Sequence, residues 1–258
     1  MKFTVYGSSG VIGSHVTAYL RKCGFSVNTP SRNEIDQFGQ PLGHVLYCIG
    51  VTADFRVRPI DTVQAHVCVL ADILRNGDFS SLVYLSSTRI YGGAAAGKED
   101  SVFTVNPSEP SDLYNLSKLM GESLCLNCGR KGVKIARISN VVGGSDDGEP
   151  TFIPSLKRAA ENGKIVLRSD LRSEKDYIHI DDVALLLREI ACRGRNEIYN
   201  VAGGRQISHG EWIERLVART GCMVEVEEGA PLIQFVPVDI SKIITEFGFK
   251  PQSVFTVV

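Results

Sequence analysis

The stretch "KFTVYGSSGVIGSHVTAYLRKCG" constrains this chain more than any other. A short apolar strand pattern runs straight into Gly7, Gly10 and Gly13, and these open an amphipathic helix pattern. Glycines so placed permit a tight turn, let a ligand approach the backbone and let helix pack on strand. The helix N-terminus adds unpaired N–H groups and the positive end of a dipole. The same alternation continues through "FSVNTPS", "HVLYCIG", a helical "DTVQAHVCVLADILRNG", "SLVYLSS", a helix after Tyr114 and "VKIARIS". Strand and helix repeated in this way imply parallel strands joined by right-handed crossovers, hence an α/β, Rossmann-type doubly wound parallel sheet.

Only about a dozen residues separate "NTPSR" from "HVLYCIG", too few for the crossover helix and strand that many such sheets insert there, so this half is trimmed. After Asn140 the alternation gives way to mixed helices and short strands. The expected division is a dinucleotide-binding domain over 1–143 and a small C-terminal α+β substrate lobe over 144–258, with segments around 175–202 returning to the first domain. For Val16, Tyr19 and Leu20, and for Val67, Leu70 and Leu74, helical spacing predicts core faces.

A chain of 258 residues, 43% of them hydrophobic, can bury a full core. Its 28 basic and 29 acidic residues leave a net charge of -1 without a block of one sign, which argues against nucleic acid or an anionic membrane as partner. No secretory pattern opens the sequence, and no apolar run approaches the ~18–20 residues of a membrane span, so a soluble, cytoplasmic protein is expected. The 7 cysteines are scattered through apolar surroundings, as buried thiols of a reducing compartment are. Cys125 and Cys128 have C-x-x-C spacing, but no second pair or histidine cluster completes a metal site, and none is expected.

Dinucleotide sites tell their riboses apart at the end of the second strand, by an acid for a free 2′-OH or an arginine for a 2′-phosphate. Here "NTPSRNE" offers Ser31 and Arg32 before its first acid, Glu34, which favours NADP(H), with NAD(H) as the alternative. Further on, "YNLSK" sets Lys118 one helical turn after Tyr114, and an ammonium there favours phenolate and lowers the tyrosine pKa towards working pH. "SLVYLSSTRIYGG" ends a strand with Ser86, Ser87 and Thr88, hydroxyls at the edge of a parallel sheet where ligands bind.

Together these residues resemble the extended short-chain dehydrogenase/reductases, the NAD-dependent epimerase/dehydratase family that remodels nucleotide-activated sugars. "GSSGVIGS" looks like its nucleotide turn, "LSSTRIYG" like its serine-bearing strand end, and "YNLSK" is its Y-x-x-x-K pair. "ARISNVVGG" resembles R-x-x-N-V-Y-G, "EKDYIHIDDVA" resembles R-D-Y-I-H-V-D-D-V-A, and "DISKI" an aspartate-led segment near the C-terminus. The resemblance implies Tyr114 as acid/base, Lys118 as ribose ligand and tyrosine activator, and Ser87 as the catalytic hydroxyl. It implies cofactor contacts from Gly7, Ser9, Gly10, Val11, Ile12, Gly13, Ser31, Arg32, Cys48, Gly50, Ile138 and Ser139. For substrate it implies Thr88, Arg89, Asn140, Thr151 and Lys175, the last standing where a diphosphate-binding arginine does in sugar epimerases. Residues 61–76 and 112–128 correspond to helices that relatives pair in a dimer, so a homodimer is implied, although periodicity alone does not separate interface from core.

The departures carry weight too. The 4,6-dehydratase members follow their catalytic hydroxyl with an Asp-Glu pair, and here Thr88 and Arg89 stand in those places, so dehydration is not expected. A second arginine that many relatives carry before the terminal aspartate segment is missing, which leaves Arg89, Arg168 or Arg172 to replace it. His66 occupies a position usually held by asparagine, and the expectation is a buried histidine satisfied by backbone. The resulting functional reading is a 4-keto-sugar reductase using NADPH on a nucleotide sugar. A nucleotide-sugar 4-epimerase with tightly held cofactor, or a non-catalytic NADP(H)-binding sensor or scaffold, are the alternatives.

Overall fold

The computed structural model describes residues 1–35, 38–144 and 151–258. Its centre is a six-stranded, all-parallel sheet built from β1 (Lys2–Tyr6), β2 (Ser26–Asn28), β3 (Gly43–Tyr47), β4 (Phe79–Ser87), β5 (Val133–Ile138) and a strand from the C-terminal half. The helices between them are α1 (Val11–Lys22), α2 (Pro59–Val63), α3 (Val69–Asn76) and α4 (Asp112–Asn127). Beyond β5 come β6 (Asn140–Val142), α5 (Phe152–Glu161), β7 (Lys164–Leu167), β8 (Glu174–His179), α6 (Ile180–Arg193), β9 (Ile198–Val201), β10 (Gln206–Ser208), α7 (His209–Thr220), β11 (Met223–Val226) and α8 (Ser241–Phe247).

The main sheet runs β2-β1-β3-β4-β5-β9, so strand order reverses between β1 and β3 and opens a crevice at their carboxyl ends. Between β2 and β3 the described residues hold only one 3-10 turn, Arg32–Glu34, and β2 is therefore the sheet edge. The inner strands β1, β3, β4 and β5 are covered on both faces, as parallel strands are, while the edge strand β2 is largely exposed. Phe3, Val5, Val83 and Leu85 pack with Val16 and Leu20 of α1 and with α6. From the opposite face Tyr6, Val45, Tyr47, Leu82 and Tyr84 pack with Leu70, Ile73 and Leu74 of α3 and with Cys125 of α4.

The expected helix over "DTVQAHVCVLADILRNG" is interrupted: α2 and α3 are joined by a single π-helical turn, Gln64–Cys68. Of the C-terminal pieces, β9 joins the main sheet and α6 packs on α1. The strand order β10-β8-β6 forms a second sheet, and β11 pairs with β7. A separate cluster around Trp212 (Val142, Ile153, Leu156, Tyr177, Leu216) forms the core beneath them. The helix α7 starts on a Ser208–Glu211 capping box and stops at Gly221 in the left-handed region, the local signals that set its length. Among the described residues no helix is long and apolar enough to cross a membrane.

Candidate active site

The glycine turn sits at the switch point. Gly7 takes φ 79°, and a Cβ on it would lie 2.7 Å from the carbonyl carbon of Cys48. A Cβ on Gly13 would lie 2.1 Å from the Gly7 oxygen, whereas one on Gly10 would meet only that oxygen, at 3.6 Å. Gly7 and Gly13 are thus required by the fold, and Gly10 keeps open space over the first turn of α1. No side chain caps that turn and no acid lies in it. Backbone donors, open space and a positive dipole end are what a pyrophosphate needs, and the turn fits one. Ser9 and Gly10 are exposed there. Val11 faces Gly144, and Ile12 and Cys48 turn their side chains into the core, so these three can offer a ligand only backbone. Burial pushes the Cys48 thiol up to about 12.

Past β2, Ser31 and Arg32 are exposed, and the Ser31 hydroxyl and N–H both donate to the Glu34 carboxylate, at 2.7 and 2.9 Å. The reading of Ser31 as a ready phosphate ligand needs that correction: its donors are engaged in a capping box, while Arg32 has no carboxylate partner among the described residues.

Sheet register sets the catalytic group. Ser87 ends β4 opposite Ile138 of β5, and Ser139 and Asn140 follow at the same edge. The Ser87 oxygen accepts the N–H of Arg89 at 3.2 Å, which starts the turn Thr88–Tyr91. Tyr114 and Lys118 lie buried one turn apart on α4. Burial raises the Tyr114 phenol above its ordinary value, and the Ser87 hydroxyl and the Arg89 guanidinium pull it back down. The expected pull from Lys118 is not what the structure provides. Its ammonium donates to the Leu85 carbonyl at 2.8 Å, lies 5.8 Å from the centre of the Tyr114 ring, and is brought down to about 7 by burial, which Glu122 partly opposes.

Two further side chains close on Tyr114. Phe55 is a lone aromatic in the charged loop "ADFRVR", yet it is buried with its ring 5.4 Å from that of Tyr114. His66 comes off the π turn: its Nε2 accepts the Val51 N–H at 3.2 Å, and its Nδ1 pairs with the Ser117 hydroxyl at 2.8 Å. The backbone satisfaction expected of it is half of what it has.

On the far wall, Lys175 of β8 lies over Phe152 and Phe235, 5.7 and 5.6 Å from the ring centres, and burial lowers its pKa. Asn140 spends its amide on the Asp176 carbonyl at 2.8 Å. Thr151 is exposed just before α5, and residues 145–150 preceding it lie outside the described residues. Among the described residues no group of three or more His, Cys, Asp or Glu side chains could hold a metal ion.

Residues 3–202 match the NAD dependent epimerase/dehydratase family. The chain belongs to this family. Membership makes it an NAD(P)-dependent enzyme of the short-chain dehydrogenase/reductase superfamily. It is 28% identical to dTDP-glucose 4,6-dehydratase of Streptomyces griseus over 195 residues, which are 70% of this chain and 57% of that protein's length. It is 25% identical to dTDP-4-dehydro-6-deoxy-D-allose reductase of Streptomyces bikiniensis over 300 residues, covering 98% and 92% of the two chains. The solved structure of RMD from Pseudomonas aeruginosa complexed with NADPH superposes with a TM-score of 0.81 at 24% identity, covering 100% of this chain and 96% of that one. At that identity the likeness speaks for the fold.

For an epimerase/dehydratase family member, the arginines expected to replace the missing diphosphate ligand are unevenly placed. Arg168 donates to Glu227 at 3.0 Å and Arg172 holds Asp170 at 3.0 and 2.7 Å, all on the exposed rim. Arg89 alone of the three stands inside the site.

Proposed function

We propose that this family member is a 4-keto-sugar reductase that uses NADPH on a nucleotide-activated sugar. The observation that carries the reading is the cluster of Ser87, Tyr114 and Lys118 with Thr88 and Arg89 beside it. It has an acid for a carbonyl oxygen, and Thr88 and Arg89 stand where elimination would need a carboxylate to take a sugar C–H proton. The allose reductase aligned over nearly the whole chain supports it. Bound nicotinamide supplies a hydride to the keto carbon. Ser87, whose oxygen accepts the Arg89 N–H, directs its own proton to the Tyr114 phenol and turns it to the substrate oxygen once that oxygen lies between them. Tyr114 gives that oxygen its proton, and the phenolate left behind is held by the Ser87 hydroxyl and the Arg89 charge until solvent returns the proton.

In this reading residues 1–143, with α6 and β9 added, hold the cofactor, and the remainder holds the substrate with Lys175 on the diphosphate. Arg32 takes the 2′-phosphate, and Ser31 joins it by releasing Glu34. The exposed Ile60 and Val63 of α2 and Met120 and Leu126 of α4 support a homodimer through these helices.

The test is reduction of nucleotide-linked 4-keto sugars with NADPH, followed by loss of nicotinamide absorbance and by product mass. NADPH consumption that disappears in Tyr114→Phe is the expected outcome. Preference for NADH over NADPH would remove Arg32 from the account. Release of water from a dTDP- or GDP-hexose at enzymatic rates would replace the reductase by a dehydratase.

A further inference from the structure

Arg89 is a cation without a counter-ion at the reacting end of the site. Its half-buried guanidinium lies over two rings, 5.1 Å from the centre of Phe55 and 5.6 Å from that of Tyr114. Among the described residues its side-chain donors meet no protein acceptor. The charge that bears on it most is of its own sign, Arg56, which lies over Phe55 at 4.5 Å and is bonded to the Ser111 hydroxyl at 2.8 Å; the Tyr114 phenol acts in the opposite sense, and Arg89 in turn depresses Lys175. The acid that offsets Arg56, Asp112, already accepts the Asn106 N–H and the Asn115 amide, each at 2.8 Å.

Ring faces hold a guanidinium in place and leave its in-plane donors free. A charge moved partly out of water and left unpaired is costly, and a ligand anion repays that cost. The planar fork matches a carboxylate with two parallel bonds. Location decides which anion. Lys175 is the cation assigned to the diphosphate, while Arg89 stands against the acid/base itself, beside the carbon whose oxygen Tyr114 protonates.

We propose that Arg89 reads a carboxylate on the sugar, so that the substrate is the nucleotide derivative of a uronic acid. This rests on the nucleotide-sugar reading above. Arg56 adds charge at the mouth and draws the acidic sugar in.

The test is calorimetric titration of the full chain with UDP-glucuronate, UDP-glucose and UDP, repeated with GDP-mannuronate, GDP-mannose and GDP. In the series that binds, the uronate is expected to bind about tenfold tighter or better than its neutral partner, the size of one added charge-assisted contact. Arg89→Gln abolishes that advantage, and Arg89→Lys, which keeps charge without the fork, retains part of it. Equal affinities for uronate and neutral sugar in the wild type overturn the proposal, as does an advantage that survives Arg89→Gln. If Arg89→Gln weakens UDP or GDP itself as much as the uronate, the residue is a diphosphate ligand and the carboxylate assignment falls. If none of the six compounds binds, the nucleotide-sugar reading fails first, and this one with it.

Discussion

His66 meets Tyr114 edge-on, with ring centres 5.3 Å apart and planes at 89°. The contact is the end of a chain of bonds. The Val51 N–H donates to Nε2 at 3.2 Å, so the imidazole proton is on Nδ1, which donates to the Ser117 hydroxyl at 2.8 Å; Ser117 in turn donates to the Tyr114 carbonyl at 2.9 Å. This ties the loop after β3 to the catalytic helix, and a π turn of the kind found at functional sites carries it. Replacement by Phe keeps the ring and strands one donor, the Val51 N–H, and one acceptor, the Ser117 oxygen. Turnover is expected to fall on the order of tenfold or more through misplacement of Tyr114, and stability by about 1–3 kcal/mol. Replacement by Gln, which has both a donor and an acceptor, should recover more of both. Equal activity in the Phe variant would show the chain to be mere packing.

Acid should unfold the protein through its histidines. Burial holds His66 down at about 2 and His209 at about 4, against an ordinary value near 6.5. Between those values the unfolded chain binds protons that the folded chain refuses. Stability is therefore full above pH ~6.5 and is lost as pH falls, by ~1.4 kcal/mol per pH unit for each histidine. Urea melts from pH 7 to 4 check this. His66→Gln should reduce the slope by one proton.

Tyr114→Phe should cut turnover by about 10²–10⁴, the usual yield of a positioned acid, with NADPH binding little changed. Lys118→Met should also stop turnover but weaken NADPH binding, and Ser87→Ala should cost less than either. The lysine variant has a second readout. Wild-type Lys118 is held at about 7, so between there and its ordinary value near 10.5 the unfolded chain carries the extra proton and wild-type stability climbs with pH. The stability of Lys118→Met relative to wild type should be highest below pH 7 and shrink as pH rises. An advantage independent of pH would mean that the ammonium is not buried.

Arg137 and Glu122 form a buried bidentate pair at 3.0 and 2.7 Å, and Arg137 also bonds the Tyr91 hydroxyl at 2.9 Å and the Glu99 carbonyl at 3.0 Å. The pair locks the end of β5 to α4 and to the turn that carries Thr88 and Arg89. Glu122→Gln leaves a buried charge uncompensated and should cost about 3–5 kcal/mol in denaturant melts, whereas Glu122→Leu with Arg137→Met should recover much of that loss. A single-variant cost near that of an exposed pair would contradict this account.

The glycines of the turn should separate folding from binding. Gly13→Ala forces a carbon to 2.1 Å from the Gly7 carbonyl oxygen and should lower the melting temperature. Gly10→Ala meets nothing closer than 3.6 Å, so it should fold normally and lose NADPH affinity, because the methyl fills the space left for a pyrophosphate. Thermal melts with and without NADPH distinguish the two.

The order of elements was legible in the sequence, because the signals that set it act along one segment at a time. Strand alternation, the Gly7 turn, the single-turn spacing of Tyr114 and Lys118 and the short connection after β2 are all local. Each forces its consequence whatever packs around it, and the motif resemblance named the family from them. Local spacing did not show that Lys118 would bond Leu85 instead of activating Tyr114, that Glu34 would engage Ser31, that Phe55 and Arg89 would close on the tyrosine, or that His66 would bridge a loop to the catalytic helix. The Ser31–Glu34 contact is a local capping box between residues three apart in sequence, whereas the other partners come from different crossovers of the sheet. They meet only because the strand order β2-β1-β3-β4-β5-β9 brings the loops after β3 and β4 beside α4. Contacts between distant segments depend on that order, and burial there sets the charge each group can carry.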